Sequence, residues 1–133
     1  MQSPTQLTYT GQTEGGALTD ATLAEIIQSA TVPLGPGNAG LTALAGGAQA
    51  GATPLQLGIN SVTIVVTAGD SVLLPPATPG AIVVLLNAAA NSLNAFAFGA
   101  TDVINALANA TALACATGVT LFFCATAGHW RSK

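Results

Sequence analysis

Charge is what this chain lacks: only 5% of its 133 residues are Asp, Glu, Lys or Arg, against about a quarter in an ordinary soluble domain. From Ile26 to Gly128 there is no Lys, Arg or His, and the only acids are Asp70 and Asp102. General acid–base work, metal capture and phosphate binding draw on side chains that are scarce here. The composition therefore predicts no enzyme, with no catalytic, metal-binding or cofactor-binding residues and no cofactor. No basic stripe is visible in the sequence, which predicts that nucleic acid is not a partner. Aromatics are also few, at 5%. The two cysteines, Cys115 and Cys124, have no framework spacing; they read as small reduced hydrophobes, with a disulfide between neighbouring strands as the alternative.

Signals for export and membrane insertion are weak as well. Met1-Gln2-Ser3-Pro4 does not begin a basic and then apolar leader, which predicts synthesis in a cytoplasm. The uncharged window from Val103 to Ala125 is long enough to cross a bilayer. It is interrupted by Asn105, Asn109, Thr111, Thr117, Gly118 and Thr120, so no membrane span is expected.

What the chain does have is apolar surface to hide. Half of its residues are hydrophobic and its mean hydropathy is +0.61. Contiguous apolar area beyond a few hundred Å² marks a contact, so a structural protein buried in an assembly is the first expectation.

Composition divides the chain near residue 58. Residues 1–58 read as an arm rich in Gly, Ala, Thr and Pro and mostly irregular. It holds one short helix in which Thr19 and Asp20 precede Leu23, Ile26 and Ile27 at helical spacing. Gly35-Pro36-Gly37, Gly46-Gly47 and Gly51 favour an extended path after it.

Residues 59–133 read as a β module. Val62, Ile64 and Val66 alternate with polar neighbours, as in a strand with one buried face. Ala68-Gly69-Asp70 then reads as the turn of a first hairpin returning through Ser71 to Leu74. Pro75-Pro76 and Pro79-Gly80 interrupt pairing. Ala81 to Leu86 is apolar on both faces, so that strand is central or presses one face on another subunit. Leu93 to Phe98 places Phe96 and Phe98 on one side and alanines on the other. Asp102 to Ala114 is open between two short strands and a helix, and Val119 to Cys124 is the clearest strand. Turn signals every 8 to 12 residues or so predict an all-β, antiparallel sandwich or barrel of jelly-roll type.

The sites on offer are few. Asp70, Ser71, Asp102 and His129 could supply triad material, but no nucleophile elbow surrounds a serine. Cys115, Cys124 and His129 match no paired zinc-ligand unit, and the two acids are expected to accept turn amides. Trp130, between His129 and Arg131, reads either as an aromatic covering the end of the sandwich or as a contact anchor.

The stretch from Ala39-Gly40-Leu41 through Gly46-Gly47 and Thr53, together with Ala68-Gly69-Asp70-Ser71-Val72-Leu73-Leu74-Pro75, Pro79-Gly80-Ala81, Asn87 to Asn91 and Phe122-Phe123-Cys124 to Gly128-His129-Trp130, resembles small virion proteins of tailed bacteriophages and prophages. That resemblance implies a compact β module, often trimeric, attached to a capsid or fibre. The expected function is a phage capsid decoration, or cement, protein: a homotrimer on the capsid surface of the virion, partnered by itself and the major capsid protein. Its expected contact residues are Leu23, Ile26, Ile27, Phe96, Phe98, Trp130 and Arg131. The alternative is a receptor- or glycan-binding module of a head or tail fibre.

Overall fold

The computed structural model of the chain describes residues 37–133, which lie in one compact unit. Ten strands follow in order: β1 Asn38–Thr42, β2 Thr53–Pro54, β3 Gly58–Ile64, β4 Ser71–Leu73, β5 Ile82–Asn87, β6 Leu93–Phe96, β7 Val103–Ile104, β8 Leu113–Cys115, β9 Gly118–Thr126 and β10 His129–Ser132. They form a six-stranded sheet ordered β1-β3-β5-β9-β10-β7 and a four-stranded sheet ordered β2-β4-β6-β8.

The pairing is that of a β-solenoid. Odd strands stack in parallel, β1 on β3 and β3 on β5, while even strands stack in parallel on the other side, β2 on β4 and β4 on β6. Each pair β1–β2, β3–β4 and β5–β6 is thus one coil, and three coils pile up, with register shifts only where β1 meets β3. The stack ends when β9 pairs antiparallel with β5, β8 antiparallel with β6, and β10 folds back on β9.

This overturns the sandwich or barrel expectation. Ala68-Gly69-Asp70 is a corner that carries the chain from one sheet to the other, so β3 and β4 are not a hairpin. Frequent turns around short strands fit a hairpin meander and a solenoid corner equally well, because both need a reversal after a handful of residues. No helix occurs among the described residues. Asp102 to Ala114 resolves into β7, turns and the start of β8, and the helix expected around Leu23, Ile26 and Ile27 lies outside the described residues. The segment read as the irregular end of the arm contributes β1 and β2, so the boundary read near residue 58 falls at the start of the second coil. No helix among the described residues is long and apolar enough to cross a membrane.

The core lies between the sheets. Val62, Val83, Leu85 and Phe122 point in from the six-stranded sheet and meet Val72, Leu74, Leu93, Ala95 and Ala97. On β6 the alanines turn inward, opposite to Phe96 and Phe98, and their small size lets the sheets approach closely. On β3 the inward alternation stops at Val62. Val65 is buried next, while Ile64 and Val66 face out, because the chain is already turning the corner.

Amide side chains do at the corners what charges do in other proteins. Asn60, fully buried, accepts from the Gln56 amide at 2.8 Å and donates to the Gln56 carbonyl at 2.7 Å. Asn87 donates to the Asn91 carbonyl and accepts from the Ala89 amide. Asn91 ties its corner to the coil below by donating to the carbonyls of Val65 and Val66. Buried backbone groups are thereby satisfied without ionisation. Close stacking of corners also requires glycine at position 47, where φ is +67° and a Cβ would sit 2.6 Å from the Gly69 carbonyl oxygen.

Candidate functional site

A strand in a two-sheet solenoid shows alternate side chains to the core and to the outside. In the six-stranded sheet the outside is apolar. The register aligns Ile59, Val84 and Leu121 in one row across β3, β5 and β9. Ser61, Leu86 and Val119 form the next row, and Ile82, Phe123 and Arg131 a third across β5, β9 and β10. Ile59 is 57% exposed, Val119 67% and Phe123 38%, whereas Ile82, Val84, Leu86 and Leu121 are half-buried by their neighbours. Along β10 the positions alternate again: Trp130 turns in, His129 and Arg131 are exposed, and so is Lys133 just past its end. Those are the only Lys, Arg and His residues of the chain, collected at one flank of the apolar face.

The anionic groups of the unit are spent on backbone. Asp70, buried, accepts from the Thr67 amide at 3.0 Å and the Gly46 amide at 3.3 Å. Asp102 accepts from the Ala77 amide at 2.8 Å. Ser71 donates its hydroxyl to the Ala48 carbonyl at 2.7 Å. The two acids and the serine of the supposed triad thus each have a structural partner, His129 stands exposed on β10, and no group of three His, Cys, Asp or Glu suited to a metal occurs among the described residues.

Both cysteines are free and buried. Burial pushes the Cys115 thiol above its ordinary value, an effect partly offset by a hydrogen bond with the Thr120 side chain.

The expected contact residues are scattered. Trp130 is fully buried in the core, and its indole N–H donates to the Pro75 carbonyl at 3.2 Å. Phe96 is only 6% exposed, whereas Phe98 is 44% exposed and borders a shallow hollow with Gln49, Ala50, Gly51, Leu73 and Gly99. Arg131 is exposed beside Phe123 on the apolar face. Leu23, Ile26 and Ile27 fall outside the described residues.

Sequence reasoning missed Ile59, Val119, Leu121 and Phe123 as outward residues. Its one usable signal was the two-sided apolar run that became β5.

The chain matches no protein-family model, no curated protein and no solved structure.

Proposed function

We propose that the protein is a non-enzymatic structural subunit that acts by packing against copies of itself and against a larger shell. The observation that carries this reading is the outward apolar face of the six-stranded sheet. An antiparallel or mixed sheet exposed to water normally alternates apolar-in with polar-out, and here β3, β5 and β9 carry aliphatic and aromatic residues on both sides.

The finer reading, a phage capsid decoration protein closing as a homotrimer on the major capsid protein, draws its support from the sequence resemblance and from the scarcity of charge. In that role the protein contributes binding energy rather than turnover. Imaging of the virion that carries the chain tests it. Extra density at local three-fold axes of the head is the expected result; absence of the chain from the particle overturns it.

Attachment at a fibre tip, as a receptor- or glycan-binding module, is the second reading. Phe98, exposed beside Gln49, is the aromatic that favours it.

A further inference from the structure

We infer that the outer face of the six-stranded sheet is where copies of this chain meet, with β10 of one copy lying over β3 of the next. The inference rests on the structural-subunit reading and names the partner of its apolar face: a second copy.

Three observations converge on that partner. The first is the pattern of the rows. Ile59–Val84–Leu121 runs across three adjacent strands and Leu86–Val119 across two of them, so the apolar residues form a continuous patch rather than isolated exposed side chains, which alone need no explanation. The core does not use this face, because Val62, Val83, Leu85 and Phe122 fill the other side.

The second is size. Six strands at ~4.8 Å spacing and about 3.3 Å per residue along β5 give a face of roughly 30 by 20 Å, or about 600 Å² per copy. Two such faces bury on the order of 1,200 Å² together, which clears the roughly 1,000 Å² that a specific interface requires.

The third is charge. The outward residues of β3 are Ile59, Ser61, Thr63 and Ile64, all uncharged, and no acid lies on β3, β5, β9 or β10. The only Lys and Arg side chains are Arg131 on β10 and Lys133 just past its end. Two copies packed β10 against β10 would bring Arg131 and Lys133 onto their own images, and like charges in contact are unfavourable. Since β10 is fifth and β3 second in the sheet order, reversing the order across the interface puts β10 over β3. The basic heads then reach the rim and stay hydrated while their stems cover Ile59. Because β3 of the first copy then lies over β10 of the second, the contact is isologous and closes as a two-fold pair.

The test replaces Ile59→Lys and Val119→Lys together in the full chain, with Ala50→Lys, exposed at a corner beside Phe98, as the control. Size-exclusion chromatography with light scattering reads association, and circular dichroism reads the fold. The double variant is expected to dissociate at concentrations ~100-fold or more above those at which the parent does, because two buried ammonium groups find no partner; the control associates like the parent.

A second measurement holds even if the double variant fails to fold. Val119→Cys introduces an accessible thiol into a chain whose own cysteines are buried. Its alkylation is expected to slow as protein concentration rises, while that of Ala50→Cys stays constant. Parent-like association of the folded double variant, or alkylation of Val119→Cys that is independent of concentration, overturns the inference. Association through this face without affinity for any viral shell would instead retire the capsid reading and leave the inference standing. Shell binding by a chain that never self-associates would do the reverse.

Discussion

Trp130→Ala separates a core tryptophan from a contact anchor. The side chain is fully buried between the sheets, with β10 held between β9 and β7. A tryptophan of this kind removes roughly 200 Å² from water, worth about 5 kcal/mol at 25 cal/mol per Å². Truncation also strands the Pro75 carbonyl that accepts the indole N–H at 3.2 Å, adding about 1 kcal/mol. Partial collapse of the cavity returns some of this, so about 4 kcal/mol is expected, within the range for large aromatic truncations. For a unit of this size that lowers the melting temperature by roughly 15–30 °C. Trp130→Phe keeps most of the volume and is expected to cost about 1–2 kcal/mol.

Urea unfolding followed by circular dichroism measures both variants. The parent reports on itself, because Trp130 is the only tryptophan and its emission should be blue-shifted and protected from quenchers. A loss under 1 kcal/mol for Trp130→Ala, or emission at the wavelength of a solvated indole, refutes the buried placement. Trp130→Ala is accordingly a stability variant, and a loss of host-cell adsorption in it would say nothing about a receptor site.

Further outcomes follow from particular positions. Gly47→Ala should cost about 2–4 kcal/mol by thermal unfolding, since the new methyl meets the Gly69 carbonyl at a left-handed φ; Gly99→Ala, at φ +64° with open space around it, should cost only about 1 kcal/mol. Ala110 has φ +63°, and Ala110→Gly should raise stability by about 0.5–1 kcal/mol in the same assay, the relieved strain exceeding the entropy of the new glycine. The raised Cys115 thiol keeps its proton in the fold after the unfolded chain has lost it. Its contribution is therefore complete below the ordinary thiol value and is lost as pH rises through the folded value. Urea midpoints should fall between pH 8 and pH 10 or so, and Cys115→Ala should flatten that slope.

How much of this was legible in the sequence differs from element to element. β5, β6 and β9 could be placed because aliphatic and aromatic runs bounded by Pro75 to Gly80, Asn87 to Asn91 and Gly128 carry their own punctuation. The all-β character of the described residues could be read for the same reason. Topology could not be read: a strand's local pattern is the same whether its neighbour lies one turn away or one coil away, and only the register, Ile59 with Val84 or Val72 with Ala95, tells a solenoid from a sandwich. β1 was hidden by its glycine, since Gly40 dilutes the apolar alternation between Asn38 and Thr42.

At the candidate site, the two-sided run from Ala81 to Leu86 announced an apolar outer face. Its partners Ile59, Val119 and Phe123 could be assigned to that face only once the pairing was known. The phase slip between Val62 and Val65 put Ile64 and Val66 outside, where strict alternation had placed them inside. The contact role expected of Trp130 rested on residue type alone, and strand parity turned that side chain to the core and its neighbours Arg131 and His129 outward.

Sedimentation equilibrium of the full chain across micromolar to millimolar concentration addresses the central claim most directly, namely that an uncharged solenoid face is kept from water by other copies of the chain. The account predicts a weight-average mass that climbs to a multiple of 13.0 kDa as concentration rises. A folded chain that stays at 13.0 kDa throughout contradicts it.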